Sequence, residues 1–159
     1  RLALEKDMVK GRSIDTIVAA SMYLANQKLR TARSLDDFQR HADVSRKSIT
    51  RAHKVIKAAL GMRIPVSEPS EYVGRYGGLL GLPTEIHTTA LSLLKRASEM
   101  ELTHGKSPTG LAAAALYIAA RQGDRHRTQR EIADISGVTE VTIRNRYKEM
   151  VSGMGLKLD

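Results

Sequence analysis

The sequence predicts an all-α protein built from two copies of one helical unit. Apolar residues recur at helical spacing, and no convincing run alternates apolar with polar residues. The segment GRSIDTIVAASMYLA at 11–25 reappears as GKSPTGLAAAALYIA at 105–119, an offset of 94 residues (105 minus 11). The two copies stay in register without a gap as far as Met62 and Leu156. Such self-similarity is typical of a repeat architecture.

Capping residues mark the predicted helix starts in both copies. Ser107 precedes Pro108, which is the N-cap followed by proline at the first helical position, and Ser13 holds the matching place in the first copy. Residues 111–120 are then apolar on every side, as in a helix at the centre of its domain. The later predicted starts are the capping boxes Ser34–Asp37 and Thr128–Glu131 and the N-caps Ser45 and Thr139, whose helices run to about Gly61 and Gly155.

Prolines predict the boundary between the units. Pro65 and Pro69 cannot continue a helix, so residues 65–70 are expected to form an extended linker. This divides the chain into a first unit at 1–64 and a second unit at 71–159.

The second unit begins with material that the first unit lacks. Apolar residues have helical spacing at 71–82 and 84–102, ahead of the repeated segment, which gives this unit five helices. If the units are equal, the first would extend about 25 residues upstream of Arg1. We therefore expect a first repeat that is truncated at its N-terminus.

Charge is concentrated in the first unit. Of the net charge of +9, residues 1–64 contribute 14 Lys and Arg against 6 Asp and Glu, whereas residues 65–159 contribute 12 against 11. A basic excess of this kind favours a polyanion or an acidic protein surface as the partner.

Several classes of function are disfavoured. Cysteine is absent, which excludes disulfides and thiolate metal sites. The five histidines lack ligand spacing, and we find neither a P-loop nor a credible constellation of acid, base and nucleophile. We therefore expect a monomer with no enzymatic activity and no cofactor. We also expect a cytoplasmic protein without membrane contact, because no apolar run reaches about 18 residues.

Residues 128–149, TQREIADISGVTEVTIRNRYKE, have the pattern of a helix-turn-helix. Ala133 is a small residue where two helices would cross, Gly137 suits the turn, and Ile143 would anchor the second helix. Val141, Thr142, Arg144 and Asn145 would then face outward near the start of that helix.

Three of these outward residues suit contact with bases in the major groove. Arg144 can pair bidentately with guanine, Asn145 with adenine, and Val141 can touch a thymine methyl group. The pattern alone also fits a corner that serves packing only, so DNA recognition stays one of two interpretations at this point.

A second kind of site is predicted at the repeated tripeptides. Gly11-Arg12-Ser13 and Gly105-Lys106-Ser107 each place a glycine and a cation at a helix N-terminus, where free N–H groups attract phosphate. The alternative is that each serine is only a cap.

If the chain binds DNA, further contacts to the DNA backbone are predicted from the helix-turn-helix. The predicted DNA-backbone contacts are Gly11, Arg12, Lys106, Thr128, Gln129, Thr139, Thr142 and Arg146.

The corresponding corner of the first unit is less suited to reading bases. Gln39 replaces the small alanine and Asp43 replaces the turn glycine. The cations of the following helix suit phosphates or an acidic protein surface. They are Arg46, Lys47, Arg51, Lys54 and Lys57.

The sequence resembles the core domain of transcription initiation factor IIB, especially its archaeal counterpart, transcription factor B. The features that carry the resemblance are the paired GRS and GKS helices, the alanine-rich LYIAA centre and the helix-turn-helix segment. The resemblance implies two tandem five-helix cyclin-like repeats that bind the complex of TATA-binding protein and promoter double-stranded DNA and help to recruit RNA polymerase. It also implies that polymerase is engaged mainly through an N-terminal zinc ribbon and linker that this sequence lacks.

The resemblance also implies roles for single residues. Val141 and Arg144 match residues that read the B recognition element upstream of the TATA box. Gly11 and Arg12 match a loop that approaches DNA on the downstream side. Arg46 and Lys47 match cations that face an acidic surface of the TATA-binding protein, and we group Arg51 with them. The other hypothesis is a cyclin-box interaction module that never reads DNA.

Overall fold

The computed structural model describes residues 11–157, which divide into two compact units between Ser67 and Glu68. The first ten residues of the predicted first unit and the last two of the second lie outside this range. Within it, all regular elements are helices, which confirms the all-α prediction. They are α1 (Ile14–Leu29), α2 (Leu35–His41), α3 (Arg46–Ala59), α4 (Pro69–Leu79), α5 (Thr84–Glu99), α6 (Pro108–Gln122), α7 (Gln129–Ser136) and α8 (Glu140–Met154).

The first unit is built around α1, which packs against α3 and α2. Its core holds the apolar stripe of α1, with Ile17, Ala20 and Leu24, against Ile49 and Ile56 of α3. Burying these side chains removes apolar surface from water, which is the main force that holds the helices together.

The second unit surrounds α6, which packs against α4, α5, α7 and α8. Every residue from Leu111 to Ala120 is buried, as its uniformly apolar sequence predicts. Six of these ten residues are alanines, whose small side chains let four neighbouring helices approach one central helix. The helix starts at Pro108, and the Ser107 hydroxyl accepts a hydrogen bond from the Gly110 N–H at 3.2 Å.

One element starts earlier than the sequence predicts. Pro69 is the first residue of α4, so the extended segment between the units ends at Glu68 rather than at Ser70. Proline is well suited to this position, because the first turn of a helix does not use its N–H and the fixed φ already matches the helix.

The central helices of the two units differ in how far they are covered. Val18 and Met22 of α1 are 49% and 57% exposed, whereas Ala112 and Leu116, 94 residues further on, are fully buried. In the second unit α4 and α5 pack against α6, and the described part of the first unit has no counterpart of these two helices. Between Gly11 and Lys157, no helix combines the length and the hydropathy needed to cross a membrane.

Candidate nucleic-acid interface

Helices α7 and α8 form the corner that the sequence predicts. Thr128 caps α7, and Gly137 ends it in the left-handed conformation (φ 70°), with its N–H donating to the Ala133 carbonyl at 2.9 Å. Glycine adopts this conformation without the Cβ strain that other residues have. Thr139 then caps α8, so only a short turn separates the two helices.

Side chains of the second unit fasten this corner at its start, its turn and its end. In each case the donor is a side chain and the acceptor is a backbone carbonyl, so the bonds fix the path of the main chain. They run from Arg127 Nη2 to Leu80 O (2.9 Å), from Tyr76 Oη to Ser136 O (3.4 Å) and from Arg96 Nη2 to Met154 O (2.8 Å).

Helix α8 has one buried face and one exposed face. Ile143, Met150 and Met154 are at most 4% exposed, and the Tyr147 ring stands edge-on to Tyr117 with centroids 5.1 Å apart. With these residues turned inward, the helical period directs the intervening positions outward.

The exposed face carries the three predicted base contacts. Val141 is 62% exposed, which is high for a large apolar side chain, and Arg144 and Asn145 are exposed beside it. Arg144 Nε donates to Gln129 Oε1 at 3.3 Å, so a residue predicted to contact bases touches one predicted to contact the DNA backbone. The sequence pattern gave no sign of this contact between the two helices.

At Thr128 the capping box satisfies the polar groups within the protein. Its N–H and hydroxyl donate to Glu131 Oε2 at 2.7 and 2.8 Å, and its Oγ accepts from the Glu131 N–H at 3.1 Å. These bonds to the backbone and hydroxyl of Thr128 lower the pKa of Glu131. A phosphate at Thr128 would therefore compete with a carboxylate.

Another carboxylate joins the Gly-Lys-Ser loop to α8. Glu149 Oε2 lies 3.1 Å from Lys106 Nζ and also accepts a hydrogen bond from Arg146 Nη1. Gly110 of α6 faces α8 at this point, and a Cβ there would make ordinary contacts with Thr142 Cγ2 at 3.4 Å and Arg146 Cγ at 3.7 Å. Glu149 is not among the residues predicted from the sequence, although its i,i+3 spacing from Arg146 is a visible signal.

The corner of the first unit is built differently at its turn. Ser34 and Asp37 form the predicted capping box, but α2 ends at Ala42 in an extended conformation (φ −118°, ψ 130°) rather than in a left-handed turn. Gln39 is exposed, whereas its counterpart Ala133 is half-buried.

The predicted protein-binding cations lie on the solvent side of α3. Arg46, Lys47 and Arg51 are all exposed, and Arg46 Nη1 pairs with Asp36 Oδ1 at 2.5 Å. Arg51 also lines a surface pocket of about 450 Å³ with Gly11, Arg12, Ser13, Thr16 and Ser48. The structure thus places Arg51, a predicted protein contact, at the same pocket as Arg12, a predicted contact to the DNA backbone. Gly11 lies at the rim of this pocket with φ 75°.

Among the described residues, no group of acids and histidines has the arrangement of a metal site.

Comparison with known proteins finds relatives along nearly the whole chain. The family model Transcription factor TFIIB repeat matches residues 1–59 and again 63–153. Transcription initiation factor IIB of Sulfurisphaera tokodaii is 47% identical over 99% of the chain, and that of Archaeoglobus fulgidus is 44% identical over 99%. The chain covers 51% and 48% of these two proteins, so it spans about half the length of the relatives it matches.

These matches confirm the resemblance and the tandem cyclin-like architecture that it implied. They also agree with the expectation of a protein that is not an enzyme, since the family consists of transcription factors. Two matched repeats and close identity along nearly the whole chain lead to one conclusion: the chain belongs to the transcription factor IIB family.

Proposed function

We propose that this chain is the promoter-binding core of a general transcription initiation factor. The observation that carries the proposal is the exposed stripe of Val141, Arg144 and Asn145 on a corner fastened to its domain, in a member of this family. The names of the relatives support a role in initiation.

In this proposal the second repeat selects the DNA sequence upstream of the TATA box. The first turns of α8 enter the major groove, where Arg144 bonds to guanine, Asn145 to adenine, and Val141 packs on a thymine methyl group. Contacts to the DNA backbone fix the register of the helix without carrying sequence information. They come from Lys106, Gln129, Thr139, Thr142 and Arg146.

The first repeat, in contrast, binds the TATA-binding protein. Its exposed cations Arg46, Lys47 and Arg51 suit an acidic protein surface, while Gly11 and Arg12 approach the DNA backbone. The complex then helps to recruit RNA polymerase, with regions of the family outside this chain making most of that contact. Such a factor would act in the cytoplasm, on the nucleoid.

The direct test of base recognition is the variant Arg144→Ala. Its affinity is measured by gel-shift titration with TATA-binding protein on TATA-containing duplexes with and without the upstream element. We expect a loss of about 1–3 kcal/mol on the cognate duplex and a flattened preference at one base pair.

Lys148→Ala is the matched control, because it removes a positive charge from the next turn of the same exposed face. It should weaken binding to both duplexes alike. If wild type and Arg144→Ala bound the two duplexes with the same ratio, Arg144 would not read a base. If the wild type itself bound both duplexes equally, a protein-binding cyclin-box module would be the better description.

The docking role of the first repeat is tested by reversing its charge. Arg46→Glu/Lys47→Glu should weaken capture by immobilised TATA-binding protein about tenfold or more, because like charges would then face each other. Lys28→Glu/Arg40→Glu makes the same change in net charge on other exposed residues of the first unit. Equal retention of both double variants would contradict the assigned surface.

A further inference from the structure

One oxygen atom of Glu149 holds two cations from different parts of the second unit. Oε2 pairs with Lys106 from the loop before α6 and with Arg146 from α8. The Lys106 and Arg146 side chains are only 29% and 20% exposed, while the Glu149 side chain is 42% exposed. The carboxylate therefore draws both cations together at a surface that stays open to solvent.

Both cations belong to the predicted set of DNA-backbone contacts. The Glu149 carboxylate already engages Lys106 Nζ and Arg146 Nη1, so a phosphate that binds these cations finds fewer unoccupied N–H donors and meets the negative charge of that carboxylate. Arg144 is in a different position, because its hydrogen-bond partner is the neutral amide of Gln129. Intramolecular pairing thus weakens the phosphate contacts and leaves the base contact untouched.

We propose that Glu149 is an intramolecular competitor of DNA phosphate for Lys106 and Arg146, which lowers the affinity for non-specific DNA. The inference rests on the proposed function, since it takes the two cations to face the DNA backbone. Phosphate contacts supply nearly all non-specific affinity, whereas base contacts supply the discrimination. The competition therefore weakens binding to DNA away from the promoter and leaves the ratio that the base contacts set unchanged.

The test uses a random-sequence duplex without the TATA-binding protein, with binding followed by fluorescence anisotropy at several salt concentrations. Glu149→Gln should bind about two- to fivefold more tightly at low salt. The plot of log affinity against log salt should steepen by up to about one unit, the contribution of one further phosphate contact.

Glu85→Gln provides the control, because it removes the same charge from an exposed position in the first turn of α5. It should change the affinity much less. In a Lys106→Gln/Arg146→Gln background, Glu149→Gln should then act no more strongly than Glu85→Gln, because the cations that it would free are gone. If the glutamine variant melts below the assay temperature, Glu149→Ala replaces it, and the same gain in affinity is expected.

An unchanged or weaker affinity of Glu149→Gln, or an equal gain in Glu85→Gln, would overturn the proposal. The outcome is separable from that of the proposed function. If the wild type did not discriminate between duplexes with and without the element, and Arg144→Ala had no effect, the base-reading role would be removed. A Glu149→Gln variant that bound DNA more tightly would still support the competition. If the wild type discriminated as expected but Glu149→Gln bound DNA no more tightly, the proposed function would stand and the competition would be removed.

Discussion

The imidazole of His87 lies against the backbone of α4 at Gly77. A Cβ at that glycine would overlap the ring, standing 2.5 Å from Cδ2 and 3.0 Å from Cε1. The absence of a side chain at Gly77 is therefore what lets α5 pack closely on α4 at this point.

This contact predicts opposite effects of one substitution at two neighbouring glycines. Gly77→Ala should lower the free energy of unfolding by about 1–3 kcal/mol, because the ring must move. Gly78→Ala meets nothing within 4 Å and should raise it by about 0.5–1 kcal/mol, because alanine has the higher helix propensity. Urea titration of both variants checks the pair, and equal effects would mean that His87 adapts without cost.

The capping box at the start of α7 predicts a loss of stability on truncation. Thr128→Ala removes the hydroxyl that accepts from the Glu131 N–H and donates to its carboxylate, and should cost about 0.5–2 kcal/mol. Thr128→Ser keeps the hydroxyl and should retain most of the stability. Denaturation curves for the two variants would contradict the role of the cap if they lost the same amount.

His53 predicts a dependence of stability on pH in the first unit. Its Nε2 donates to Gln27 Oε1 at 2.7 Å, and burial, followed by the nearby charge of Lys57, lowers its pKa below 6.5. The folded state thus takes up the proton less readily than the unfolded state. The stabilising contribution is present above pH 6.5 and is lost as the pH falls towards the folded pKa.

The measurement is a series of thermal melts of wild type and His53→Gln from about pH 7.5 to about pH 5.5, the range in which histidine titrates. The wild type should lose more stability over this range than the variant. Parallel curves for wild type and His53→Gln would show that the proton is bound equally well in both states.

Local sequence rules predicted the helices and their caps well, because these features depend on residues close together in the chain. Ser13, Ser107 and the capping box of Thr128 occupy the predicted positions, and the apolar run of α6 is buried on all sides. The rule that proline disfavours helix interiors predicts Pro69 in the linker, although the same residue is favoured at a helix start.

The contacts around the candidate site could not be predicted in the same way. Lys106 and Glu149 are 43 positions apart (149 minus 106), and they meet because the fold packs α6 against α8. The acids that neutralise predicted binding cations, Asp36 and Glu149, were missed for this reason. Periodicity predicts which face of a helix is exposed, but not which side chains of other helices lie beside it.

The three side-chain bonds from Arg127, Tyr76 and Arg96 have a consequence for how the second unit could meet a duplex. These bonds oppose any change in the pitch of the corner, because such a change would lengthen or break them. The strain of a poor fit would fall on the DNA, whose bending energy depends on its sequence. The stiffness of a protein corner would thus become a second source of selectivity, at base pairs that no side chain touches.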